Sequence, residues 1–281
     1  AGADLVIGCD PDTDRVGIAV NDGKGTMQLL NGNDTAALLV NYVFSQSSAN
    51  GSLPSNAFTA ATIVTTDLIA DISAKFNVPC YRCLTGFKWI ADMIEKRPEE
   101  KFIVGGEESY GYLIGDAVRD KDAVASAVMI AEMAAFAKSK GMTVLEQLEA
   151  VHREYGQYQE RLISITKKGR SGAQEIADMM TNLRNNPPQS LGGSPVVIAI
   201  DHSNSTQTDL RTGATSSTEL PGSNVLQFIT EAGDKVSARP SGTEPNIKFY
   251  FSVRSTTGSS HAATKAELEA KIHTFIKELN L

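Results

Sequence analysis

The stretch Ala61–Val104, ATIVTTDLIADISAKFNVPCYRCLTGFKWIADMIEKRPEEKFIV, decides the fold. It reads as strand Ala61–Thr65, helix Asp67–Phe76, strand Val78–Cys83, helix Phe87–Glu95 and strand Phe102–Val104. Strands alternating with helices at this pace predict an α/β domain. Upstream, Leu5–Gly8 and Val16–Val20 are short strands on either side of a polar loop, and Asn21–Gly25 is a turn. Thr35–Phe44 is apolar at helical spacing, and Asn50–Pro54 ends it. Downstream, an Ala/Met-rich helix runs from an N-cap at Asp122 to Gly141, and a second lies near Val144–Glu154.

Past Gly156 the pattern changes. Strand Glu160–Ile165, helix Ala173–Asn185 and strand Val196–Ile200 precede a Ser/Thr-rich loop, Asp201–Asn224. Strands at Val225–Thr230, Val236–Ala238 and Ile247–Val253 follow. The last helix carries Leu268, Ile272, Phe275, Ile276 and Leu279 as one apolar stripe. Clustered strands with flanking helices predict a smaller α+β domain.

The chain of 281 residues is 41% hydrophobic and 21% charged, a globular composition, and its length suits roughly two domains. Lys plus Arg is 26 against 33 Asp plus Glu, a net charge of −7, which argues against nucleic acid or an anionic membrane as partner. No apolar run approaches the ~20 residues that span a bilayer. Three cysteines are too few for a disulfide scaffold and suit a reducing cytoplasm. The chain opens on Ala-Gly-Ala-Asp and runs at once into a strand with no partner before it, which predicts the C-terminal part of a longer protein.

The sharpest motif is Cys9-Asp10-Pro11-Asp12-Thr13-Asp14-Arg15. Three carboxylates at alternate positions after a strand supply oxygen-only ligation, which suits Mg²⁺, and Arg15 can fork onto a phosphate. An EF-hand is excluded, because its sixth and twelfth positions would be Arg15 and Asn21. A dehalogenase-type phosphatase loop fits poorly, because Asp14 stands where Thr or Val belongs. The second motif, Arg239-Pro240-Ser241-Gly242-Thr243-Glu244-Pro245, is a rigid turn by its Pro-Ser-Gly alone, but an Arg fork, two hydroxyls and a glycine together favour a phosphate cradle. The third, Gly105-Gly106-Glu107-Glu108-Ser109-Tyr110-Gly111, offers a carboxylate and a hydroxyl to sugar hydroxyls, or is an acidic turn. Thr85-Gly86-Phe87-Lys88 opens a helix and is either an anion contact or a capped start. Arg119-Asp120-Lys121-Asp122 reads as a solvated run capping the next helix, and Cys80-x-x-Cys83 as packing.

In this order the motifs resemble the α-D-phosphohexomutase superfamily, most closely its bacterial phosphoglucomutase/phosphomannomutase members, over essentially the whole chain. The resemblance implies residues 1–24 as the tail of domain two, 25–150 as a mixed-sheet α/β domain three, and 151–281 as the α+β domain four. It implies interconversion of glucose 1-phosphate and glucose 6-phosphate through a phosphoserine and a glucose 1,6-bisphosphate intermediate. Asp10, Asp12 and Asp14 match the Mg²⁺ ligands and Arg15 an arginine near the transferring phosphate. Glu107, Ser109 and Lys88 match sugar contacts, while Arg239, Ser241, Gly242 and Thr243 match the site of the other phosphate. The family's Thr-x-Ser-His-Asn-Pro nucleophile loop occurs nowhere here, so the chain is expected to lack the covalent step and to need the missing N-terminal domains as partner. Tyr110-Gly111, in place of Gly-His, tilts the reading toward glucose. A phosphomannomutase, a glucose 1,6-bisphosphate synthase, a dehalogenase-type Mg²⁺ phosphatase or a stand-alone sugar-phosphate-binding module are the alternatives.

Overall fold

Alternating apolar residues make the first strands. In the computed structural model, which describes residues 2–167, 169, 171–242, 244–255 and 260–281, β1 (Leu5–Cys9), β2 (Val16–Asn21) and β3 (Met27–Leu30) form an antiparallel meander in the order β1-β2-β3. Val16, Ile18 and Val20 are buried, with the intervening residues half-buried, the period-2 signature of a strand covered on one face. The sequence reading lacked β3. Met27-Gln-Leu-Leu carries no alternation of its own and becomes a strand by pairing, Leu30 opposite Ile18.

There follow α1 (Gly32–Ala49), β4 (Ala57–Thr62), α2 (Leu68–Lys75), β5 (Cys80–Cys83), α3 (Phe87–Glu95), β6 (Lys101–Gly106), β7 (Tyr112–Ile114), α4 (Ala123–Ser139) and α5 (Val144–Tyr155). Their sheet has the order β5-β4-β6-β7, with β5, β4 and β6 parallel and β7 antiparallel. From β4 to β6 the alternation of strand and helix is as read, with the strand read at Ala61–Thr65 displaced to Ala57–Thr62, whereas β7 is absent from the sequence reading and forms by pairing with β6. All six residues of β4 are buried, as an interior parallel strand requires, and Ile63 and Val64 beyond its end are buried too, so hydrophobicity does not mark where the strand stops. Asn31, Asp122 and Thr143 cap α1, α4 and α5 by accepting the N–H of Asp34, Ala125 and Glu146.

The chain divides into two compact units between Gly156 and Gln157. The second contains β8 (Gln157–Thr166), α6 (Gly172–Asn185), β9 (Ser190–Leu191), β10 (Ser194–Asp201), β11 (Thr206–Asp209), β12 (Thr215–Ser217), β13 (Leu226–Thr230), β14 (Lys235–Pro240), β15 (Asn246–Ser255) and α7 (His261–Glu278). The sheet runs β12-β11-β10-β13-β14-β15-β8, with β9 paired to β10. The region read as a polar loop holds a hairpin, β11 and β12, because the Ser/Thr composition that suggests a loop also supplies residues that pair well along β10. Ile176 and Met180 of α6 and Leu268, Ile272 and Phe275 of α7 pack on Phe228, Val236, Ala238, Phe249 and Phe251. Each large side chain buried there contributes about 1.5–3 kcal/mol, so the apolar stripe of α7 is what docks that helix. Among the described residues no helix is long and apolar enough to cross a membrane.

Candidate functional site

In the first unit β4, β5 and β6 are parallel, so their carboxyl ends open at one edge of the sheet, where ligands of such sheets bind. The loops leaving those ends are Ile63–Asp67, Leu84–Gly86 and Glu107–Gly111. The Glu107 N–H donates to the Gly111 carbonyl at 2.8 Å and closes the last loop at its neck. The Glu107 carboxylate, 8% exposed, accepts the Gly86 N–H at 2.9 Å. Gly86 sits at φ +111°, which presents that N–H and which other residues adopt only with strain. Burial raises the Glu107 pKa, the Gly86 bond lowers it, neighbouring Glu108 raises it again, and Lys121 and Arg15 pull it down; the net direction is up. Glu108 faces the other way, its Oε2 accepting from the buried hydroxyls of Thr62 and Thr65, each at 3.2 Å. Ser109 is half-buried in the same loop.

The acidic turn between β1 and β2 is tied to this edge through the backbone. Val16 N–H donates to the Tyr110 carbonyl at 3.0 Å and Ala123 N–H to the Thr13 carbonyl at 3.2 Å. Within the turn, Asp10 Oδ1 accepts the N–H groups of Asp14 and Arg15, each at 3.1 Å. Desolvation opposes the Asp10 charge, but those two amides outweigh it and hold its carboxyl below the usual range. Asp12 and Arg15 are exposed. Asp14 takes the Lys121 ammonium at 3.0 Å on Oδ2 and the Arg15 Nε at 3.8 Å on Oδ1.

The donor chemistry of this turn fits a hard divalent cation: three carboxylates from five consecutive residues, one exposed and one using a single oxygen for internal bonds. As placed, the three do not converge; among the described residues no group of three or more His, Cys, Asp or Glu is arranged to hold an ion. Asp10, Asp12 and Asp14 would have to turn inward to share one.

Lys121 joins the candidate site by its contact with Asp14, although in the sequence it reads as part of a solvated run. Its side chain is 13% exposed and its ammonium bridges Asp14 and Asp120, at 3.0 and 2.9 Å. Burial works against its charge, but the two carboxylates prevail and raise its pKa. A charge run by itself carries no sign of such placement. Lys88, at the start of α3, is exposed with its ammonium 5.1 Å from the Trp89 ring centroid. Cys80 and Cys83 are free thiols whose pKa burial raises, Cys83 to about 12, in keeping with packing rather than redox work.

In the second unit Arg239 and Pro240 end β14, and the loop that follows is closed by Ser241 N–H on the Asn246 carbonyl at 2.8 Å. The Glu244 N–H donates to Ser241 Oγ at 3.3 Å. Gly242 is exposed; Thr243 lies outside the described residues. Arg239 stands directly opposite Lys248 on β15, two cations on one face of adjacent strands. Such a pair is unfavourable by itself and is relieved by an anion, so Lys248 joins the candidate set. A cleft of about 500 Å³ borders this loop, with Ser241, Gly242 and Pro245 on one side and Ala173, Ile176 and Ala177 of α6 on the other.

Residues 31–155 match the family described as phosphoglucomutase/phosphomannomutase, alpha/beta/alpha domain III. The phosphoglucomutase of Staphylococcus epidermidis is 38% identical over 252 residues, 89% of this chain and 45% of that protein. That of Staphylococcus aureus is 38% identical over 253 residues, 90% of this chain and 45% of the relative. The chain thus spans about half the length of the curated relatives it matches. Among solved structures, the parafusin phosphoglucomutase of Paramecium has a TM-score of 0.68 at 18% identity, covering 99% of this chain and 45% of its own. A phosphoglucomutase/phosphomannomutase family protein of Burkholderia thailandensis scores 0.60 at 14% identity, covering 100% and 48%. These two share the fold. Motif order and relatives agree: residues 31–155 are a phosphoglucomutase/phosphomannomutase domain III, and about nine tenths of the chain is similar to bacterial phosphoglucomutases.

Proposed function

We propose that this chain is the sugar-binding and phosphate-binding part of a Mg²⁺-dependent phosphoglucomutase, which interconverts glucose 1-phosphate and glucose 6-phosphate through a phosphoserine and glucose 1,6-bisphosphate. The observation that carries the reading is the gathering of the acidic turn, Glu107, Gly86 and Lys121 at one end of the parallel sheet. The 38% identity to bacterial phosphoglucomutases supports a hexose phosphate as the substrate class. Asp10, Asp12 and Asp14 would hold the cation, whose chemistry is to neutralise charge on a phosphoryl group in transfer.

The chain's own groups then have distinct tasks. Arg15, exposed beside the turn, binds the transferring phosphate by a guanidinium fork. Glu107 keeps one oxygen on Gly86 and offers the other to sugar hydroxyls, with Ser109 and Lys88 as further contacts. Arg239, Lys248, Ser241 and Gly242 hold the phosphate that is not transferred. On this reading the serine nucleophile would come from outside the 281 residues, whose sequence has no Thr-x-Ser-His-Asn-Pro loop. Its three free cysteines suit a reducing cytoplasm.

The test is phosphorus NMR of the chain with Mg²⁺, glucose 1-phosphate and a trace of glucose 1,6-bisphosphate. The expected result is a shifted or broadened hexose phosphate signal, abolished by Arg239→Ala, with no glucose 6-phosphate formed. An unperturbed signal overturns the binding role. Turnover, with contaminating enzyme excluded, would locate a nucleophile within these residues.

A further inference from the structure

Lys121 is held on Asp14 from several sides. Its ammonium lies 3.0 Å from Asp14 Oδ2 and 2.9 Å from Asp120 Oδ1, and 5.4 Å from the Phe87 ring centroid. Its stem crosses Gly111 so closely that a β-carbon there would stand 2.2 Å from the lysine Cδ. With the lysine side chain 13% exposed and that of Asp14 31%, this pair is screened less than one on the open surface. A divalent cation entering the acidic turn would therefore meet a like charge already seated on one of its three carboxylates. Asp120, whose side chain is 71% exposed, remains as the partner of the ammonium when Asp14 turns away.

We propose that Lys121 is a positioning residue that competes with the divalent cation for Asp14 and thereby sets the cation affinity of the turn. The proposal rests on the reading of Asp10, Asp12 and Asp14 as cation ligands. No bond is made or broken; Asp14 exchanges one positive partner for another, and Lys121 falls back on Asp120. An affinity lowered in this way makes occupancy of the turn responsive to the free cation concentration.

Calorimetric titration of the 281-residue chain with Mg²⁺ and with Mn²⁺ tests this. Lys121→Met keeps the stem over Gly111 and removes the charge, and its expected effect is about tenfold tighter binding of either ion. Lys121→Arg keeps the charge and stays with the unmodified chain. Lys101→Met removes a lysine paired elsewhere with Asp116, at 2.6 Å, and changes nothing. Equal or weaker binding by Lys121→Met, in a chain that does bind the ion, overturns the competition alone. If neither the chain nor any variant binds either ion, the cation reading of the turn falls with it. Should Lys121→Met fold poorly in a chelator, its melting temperature is compared with and without Mg²⁺. A larger Mg²⁺-dependent recovery than the unmodified chain supports the exchange, and a lowered value that Mg²⁺ leaves unchanged overturns it.

Discussion

The Glu107 carboxylate accepts the Gly86 N–H at 2.9 Å, joining the loop after β6 to the helix start after β5. One bond thus presets both loops of the candidate sugar site. Glu107→Gln keeps an acceptor for Gly86 but loses the charge, so a titrated hexose phosphate should bind at least about tenfold more weakly. The fold should survive. Because the folded pKa of Glu107 is raised above its ordinary 4.5, its charge costs stability at neutral pH, and that cost is withdrawn as pH falls through the raised value. The variant should therefore melt no lower than the parent at pH 7, and a large drop would show that the carboxylate is structural.

Gly111 is where the Lys121 stem passes, and a β-carbon there would collide with its Cδ and Cγ at 2.2 and 2.8 Å. Gly111→Ala should displace the lysine from Asp14 and cost about 1–3 kcal/mol, the usual range for overpacking. Denaturant unfolding measures it.

His202 is 1% exposed, its Nε2 3.0 Å from Gln227 Oε1, and Gln227 Nε2 donates to Ser237 Oγ at 2.8 Å. Burial lowers its pKa from 6.5, the Gln227 bond opposing. The unfolded chain then takes up the proton first, so the second unit should lose stability as pH falls below 6.5 and recover it as pH rises. His202→Gln should flatten that part of the profile.

Arg239 and Lys248 face each other across β14 and β15. Phosphate or sulfate should raise the melting temperature of the parent, and Lys248→Met should remove most of that rise while leaving cation affinity unchanged. Equal anion stabilisation in the variant would exclude Lys248 from the phosphate set.

Cys9 is exposed, Cys83 is buried with its thiol pushed up to about 12, and burial raises Cys80 as well. A thiol reagent at neutral pH should modify Cys9 in the folded chain and reach Cys83 only after unfolding. Rapid labelling of Cys83 would reopen a redox role for the Cys80-x-x-Cys83 pair.

What the sequence determined alone is what short-range periodicity and spacing encode. The strand–helix alternation from β4 to β6, the apolar stripe of α7, the caps at Asp122 and the acidic, sugar and phosphate motifs all follow from neighbours along the chain. Only the tertiary structure decided the rest. It put β4 four residues before its predicted start, made β3 a strand by pairing it to β2, and drew a hairpin out of the Ser/Thr-rich loop. It also brought Lys121 onto Asp14 and set Lys248 opposite Arg239. Burial and ion pairing depend on which distant segment arrives beside a residue, and local spacing holds no record of that. Lys121 therefore reads as a solvated charge in the sequence and as a fixed counter-charge in the fold.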